Sequence, residues 1–186
     1  MTDSRTGPGN GTARQPAAGL PLLRSLTIAI AVALLLVACS GPSFSVGVRD
    51  VVIRASNSGG MICYVKGSES SPVRFSSATY RADGTYSSSN LLADSVTIKI
   101  YGRTEAPASD CVAVSEPKNI ELSKEITLPV NDSTPVEIGG ADYGGQLAEI
   151  ISRDSYWIGA RISGDYTLLD GEEISLENGR ISVSVW

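Results

Sequence analysis

Between Val96 and Tyr101 the chain alternates strictly. Val96, Ile98 and Ile100 are branched and apolar, while Thr97, Lys99 and Tyr101 occupy the intervening positions. A period of two puts all the apolar groups on one side only if the backbone is extended, so this stretch predicts a half-buried strand. The pattern recurs along the chain. Phe44, Val46 and Val48 alternate, and Val51 and Ile53 continue with the parity switched, as a bulge near Asp50 produces. Ile120, Leu122, Ile126, Leu128 and Val130 share one parity, interrupted at Lys124, which implies one bent strand or two short ones. Tyr156, Ile158, Ala160 and Ile162 form a further face. Short strands separated by Gly, Ser, Asn and Asp predict an all-β protein, specifically an antiparallel β-sandwich.

Two local features stand out. Asn178-Gly179 lies between alternating runs, which predicts a C-terminal β-hairpin with Glu177 facing Arg180 and Leu176 facing Ile181. Gln146 to Ile151 holds good helix formers with apolar residues at 147, 150 and 151, which predicts one short helix near 146–152 with Asp142 as its N-terminal cap. The glycine-rich segment 139–145 lacks both G-K-[ST] and G-x-G-x-x-G, so it reads as a connection rather than a phosphate cradle.

The beginning of the chain has a different character. Arg5, Arg14 and Arg24 precede Ser25 to Ala38, fourteen residues without charge that end at Leu36-Val37-Ala38-Cys39. As a helix that run reaches about 21 Å, short of a ~30 Å hydrocarbon core, so a cleaved secretory signal fits better than a span. Residues 24–40 resemble the lipobox signal of bacterial lipoprotein precursors. The resemblance implies that Cys39 is lipidated and becomes the first mature residue. It implies a membrane partner through the N-terminal lipid, outside the cytoplasm. With Ser40 rather than Asp after the Cys, it implies the outer membrane if the host has one. The expected organisation is then 1–38 as a cleaved signal with a disordered extension, 39–45 as anchor and short tether, and 46–186 as a single β-sandwich domain.

With Cys39 assigned to lipid, Cys63 and Cys111 remain as an even pair in an oxidising compartment and are expected to form a disulfide. The chain contains no His and no C-x-x-C, which argues against zinc. The only tryptophans, Trp157 and Trp186, follow Cys111, so the antibody-type pattern of a Trp between the two cysteines is absent. The sandwich is immunoglobulin-like only in the generic sense, with the tryptophans expected in the core or on its rim.

From Cys39 onward there are twelve Lys and Arg against nineteen Asp and Glu, a net charge of −7. No basic stripe is visible, which speaks against nucleic acid as a partner. Without His, the usual acyl-transfer triads and the commonest general base are missing. Ser115-Glu116-Pro117-Lys118 matches S-x-x-K, but with 26 Ser and 4 Lys a chance match is expected, and Pro117 breaks the helical turn that motif needs. The group Asp165, Asp170, Glu172 and Glu173 is the remaining chemical candidate, as the carboxylate pair of a hydrolase or the oxygen ligands of calcium in an adhesion module. Its placement at turns points instead to solvated charge. The polar stretch Ser76 to Asn90, with Tyr80 and Tyr86, reads as an exposed loop or an edge strand. These observations lead to a lipid-anchored envelope protein with a non-catalytic binding or structural domain, no cofactor, and an envelope protein or glycan as its possible partner.

Overall fold

The computed structural model describes residues 43–57, 59–67 and 73–185. The predicted signal, Cys39 and Trp186 lie outside the described residues. The strands are Ser43–Gly47 (β1), Val51–Arg54 (β2), Met61–Lys66 (β3), Ser77–Ser87 (β4), Ser95–Arg103 (β5), Cys111–Ala113 (β6), Ile120–Glu121 (β7), Ile126–Pro129 (β8), Ser133–Ile138 (β9), Trp157–Ile162 (β10) and Glu173–Ser184 (β11). A single α-helix among the described residues, Gly140–Ile151 (α1), lies between β9 and β10. Strand pairing begins at Ser43, three residues earlier than the expected domain start.

The strands form two sheets. One runs β1–β11–β4–β9, with β2 continuing β1 along β11; the other runs β6–β3–β10–β5–β7, with β8 continuing β7 along β5. From β2 onward the chain crosses repeatedly between the sheets, so sequence neighbours seldom pair. That order is the double Greek key of a jelly roll. The predicted antiparallel sandwich is therefore correct, and the immunoglobulin likeness extends only to two packed sheets. Ile98, Ile100, Ile158 and Ile162 of one sheet and Ile53, Tyr80, Tyr86 and Leu176 of the other are each at most 2% exposed within one contiguous core.

The C-terminal hairpin is not formed. β11 is one continuous strand, and both its halves pair with β4: Leu176 faces Gly84 and Ile181 faces Tyr80. Asn178 and Gly179 make a bulge between Glu177, opposite Asp83, and Arg180, opposite Arg81. Asn178 takes φ 55°, the left-handed conformation that Asn tolerates, and its amide donates to Asp83 at 2.9 Å. The neighbouring strand carries the same irregularity. Gly47 faces Arg180 and Val51 faces Leu176, so the parity switch at Asp50 follows the bulge of its partner.

The helix starts earlier than its good helix formers. Its first turns are the glycine-rich segment itself, with Gly139 at the cap and Asp142 inside the first turn beside Lys124. Close approach to β4 accounts for Gly139 and Gly144. A Cβ on Gly139, at φ 154°, would lie 2.7 Å from Thr79 Oγ1 and 2.9 Å from the Ala78 carbonyl oxygen. Packing against the sheet thus overrides low helix propensity.

Ser77–Ser87, within the stretch expected to be an exposed loop or edge, is a central strand. Its inward face is Ala78, Tyr80, Ala82, Gly84 and Tyr86, weakly hydrophobic in composition but strictly alternating. The break near Lys124 does separate two short strands. There the buried Ser123 hydroxyl accepts from the Ile100 N–H at 2.8 Å in place of a ladder partner.

Cys63 and Cys111 are joined by a disulfide. They sit directly opposite each other on β3 and β6, so the bridge lies within one sheet. It fastens a three-residue edge strand that holds few ladder bonds of its own.

Candidate functional site

Sequence reasoning singled out four carboxylates, and the structure gives them three different roles. Asp165 and Asp170 are exposed turn residues. Glu173 pairs with Arg54 at 2.7 Å. Glu172 is buried at 4% exposure. Its Oε1 accepts from the hydroxyls of Tyr86 (2.8 Å) and Ser88 (2.7 Å), and its Oε2 from the Tyr166 hydroxyl and the Leu169 N–H, both at 2.8 Å. Burial pushes the Glu172 carboxyl up, but the donors from Leu169, Ser88, Tyr166 and Tyr86 together outweigh it and hold its pKa below the ordinary value. Burial likewise raises the Tyr86 and Tyr166 hydroxyls, which keeps both protonated as donors. A carboxylate with both oxygens engaged by protein donors is a structural clamp rather than a proton shuttle. Among the described residues no group of three or more Cys, Asp or Glu is placed to hold a metal ion.

The S-x-x-K match lies in turns before β7. Lys118 takes φ 84° and pairs with Glu105, while Glu116 pairs with Arg103. Nothing in that arrangement activates Ser115.

A groove that the sequence did not reveal lies where the edge strand β2 of one sheet meets β3 of the other. It has a volume of about 420 Å³ and is lined by Arg49, Arg54, Lys66, Tyr64, Asp110 and Trp157. The jelly-roll crossing from β2 to β3 brings these residues together. Arg49 sits in the irregular step between β1 and β2, and Arg54 and Asn57 lie where the chain leaves one sheet for the other. Asn57 Oδ1 accepts from the Arg54 N–H at 2.7 Å, which shapes that turn.

The aromatic residues beside the groove are packed into the fold. Tyr64, Ile62, Tyr101 and Val112 form a second apolar cluster, and Trp157 packs half-buried against it. The Tyr64 hydroxyl donates to Asn119 at 3.1 Å, and the Arg103 guanidinium lies 5.6 Å from the ring centre. Burial pushes the Tyr64 hydroxyl pKa well up, so it stays neutral. Lys66 extends over Trp157 with its Nζ 5.9 Å from the ring centre, within cation–π range. The Asp110 carbonyl accepts from the Tyr64 N–H at 2.7 Å, fixing the loop that carries the Asp110 carboxylate.

Three cations thus converge on one groove in a chain of net charge −5. Counting charge along the sequence conceals this, because Arg49, Arg54 and Lys66 are widely spaced and Arg49 is directly followed by Asp50. No basic stripe is visible along the sequence, while the fold gathers Arg49, Arg54 and Lys66 together with Asp110 around one groove. A faint signal was present in Arg49 and Arg54 flanking an apolar Val51–Ile53 core segment.

No family model and no curated protein matches this chain. Among solved structures it is similar to a human norovirus GI.7 Houston strain virus-like particle, at 13% identity and TM-score 0.35, covering 78% of this chain and 30% of that one. It is also similar to the KBV activated particle at acidic pH, at 11% identity and TM-score 0.32, covering 98% and 82%. The infectious bursal disease virus Gx strain gives 11% identity and TM-score 0.30, covering 78% and 31%. The chain thus spans less than a third of the norovirus and bursal disease virus chains. Among the described residues no helix is long and apolar enough to cross a membrane.

Proposed function

We propose that this protein is a lipid-anchored binding module of the cell envelope, held by a lipid on Cys39 and acting without catalysis through the groove between β2 and β3. The observation that carries the binding role is the convergence of Arg49, Arg54 and Lys66 on a groove that the half-buried Trp157 also lines. Preformed concave sites with a few placed polar groups on an apolar wall suit small ligands or segments of polymers. Support for a non-catalytic role comes from the absence of His in the sequence and from Glu172, the one buried carboxylate among the described residues, whose oxygens are fully engaged.

The anchor rests on the lipobox-like run Leu36 to Cys39. Three residues separate Cys39 from Ser43, a reach over four steps of at most about 14 Å, so the sandwich sits close against the bilayer. One acyl chain binds a membrane only marginally, and a multiply acylated Cys39 supplies the stable hold. In a host with two membranes, Ser40 favours the outer one. Membrane fractionation tests the anchor: wild-type protein sediments with membranes and Cys39→Ser is released into the soluble fraction. Identical fractionation of the two overturns it.

A further inference from the structure

We propose that the β2–β3 groove binds an acidic saccharide, a sugar unit carrying a carboxylate or phosphate, rather than a bare polyanion or a lipid headgroup. This rests on reading the groove as the binding site.

The cations specify the anionic group. Arg49 makes no ion pair among the described residues, and Lys66 has only the face of Trp157 as a partner there. The Arg fork matches carboxylate or phosphate oxygens two at a time, while Lys supplies a point charge. Held over the indole, the Lys66 ammonium is already positioned, so less side-chain freedom is lost on binding.

Asp110 specifies the rest of the ligand. Asp110 belongs to the same lining as the three cations, so an acidic residue shares the groove with them and disfavours a pure polyanion. A ligand that carries hydroxyl donors beside its anionic group satisfies both. Asn57, Trp157 and Pro107 complete a lining that mixes charged, polar and apolar residues. A sugar acid presents that same mixture within one ring. The 420 Å³ volume falls near the low end of the roughly 300–1,000 Å³ range of small-ligand pockets.

The test uses the full-length protein purified in detergent. Calorimetric titrations compare tetragalacturonate with its methyl ester, mannose 6-phosphate with mannose, and tetraglutamate, and flotation uses phosphatidylglycerol vesicles. Either acidic sugar is expected to bind at least tenfold more tightly than its neutral counterpart, with a tenfold loss in Lys66→Ala and in Arg49→Ala. Asp110→Asn is expected to weaken the acidic sugar at least threefold while leaving tetraglutamate no weaker. Arg81→Ala, on the exposed face of β4, leaves binding unchanged. Failure of both acidic sugars to bind overturns the proposal. Tetraglutamate or vesicle binding equal to that of the sugars overturns the saccharide assignment. If the neutral sugars bind equally well and still depend on Lys66 and Arg49, the acidic assignment falls and the groove stands. Binding that no groove substitution affects overturns the groove as well.

Discussion

The Ser88 hydroxyl donates to Glu172 at 2.7 Å, closing the β4–β5 loop onto the β10–β11 loop at one end of the sandwich. Tyr86 and Tyr166 join the same carboxylate, and their hydroxyls lie 2.8 Å apart. Residues far apart in the chain are thereby clamped around one buried charge. Replacing Glu172 with Ala leaves three hydroxyls and the Leu169 N–H without their acceptor. Chemical denaturation at neutral pH is expected to show a loss of about 2–3 kcal/mol.

The same clamp is pH-dependent. Glu172 has a folded-state pKa below its unfolded value, so its contribution is complete above the ordinary glutamate pKa. That stability is lost as pH falls through the folded-state value. Denaturation midpoints measured down the acid limb are expected to fall less steeply in Glu172→Gln than in wild type. Equal slopes would show that Glu172 is not coupled to folding.

Two glycines of one segment predict opposite outcomes. Gly139→Ala forces a side chain against Thr79 and Ala78 at a positive φ and is expected to cost about 1–3 kcal/mol. Gly145, inside α1, has nothing within 4 Å of a built Cβ. Gly145→Ala is expected to stabilise by about 0.5–1 kcal/mol through helix propensity and a less free unfolded chain. Thermal melts of the two variants should move in opposite directions.

Continuity of β11 is open to a cross-linking test. Ser182 faces Thr79 on β4, whereas Ser175 and Ser182 lie seven residues apart on one strand, about 23 Å at strand rise. Ser182→Cys with Thr79→Cys is expected to oxidise to a bridge, and Ser175→Cys with Ser182→Cys is not. A bridge in the second pair would restore the hairpin.

The native disulfide closes a sequence separation of 48 residues and ties down β6. Replacing Cys63 and Cys111 together with Ala is expected to lower stability by about 2–4 kcal/mol. Denaturation of wild type under reducing conditions should approach the same midpoint.

How much was legible in the residues varies with the kind of pattern. Val96, Ile98 and Ile100 declared their strand because alternation of large apolar groups has one structural meaning. β4 did not, because its inward face uses Ala, Tyr and Gly, which hydrophobicity alone scores as polar loop. Glycine at 84 is filled from the other side, where a Cβ would already touch Leu128 and Val136 at 2.9 Å. Glu172 and Glu173 are adjacent and chemically alike, yet one is buried in a clamp and the other pairs with Arg54 near solvent.

Asn178-Gly179 shows the division most clearly. The sequence by itself determined that Leu176 and Ile181 must share a face, since the alternation on either side is offset by one residue. A two-residue turn and a bulge satisfy that offset equally well. Only the tertiary structure decided between them, because the eleven-residue β4 offers both halves of β11 one uninterrupted partner. The same holds for the groove. Its cations were each visible in the chain, but their convergence depends on the crossing between sheets, and local sequence carries no record of which strands lie side by side.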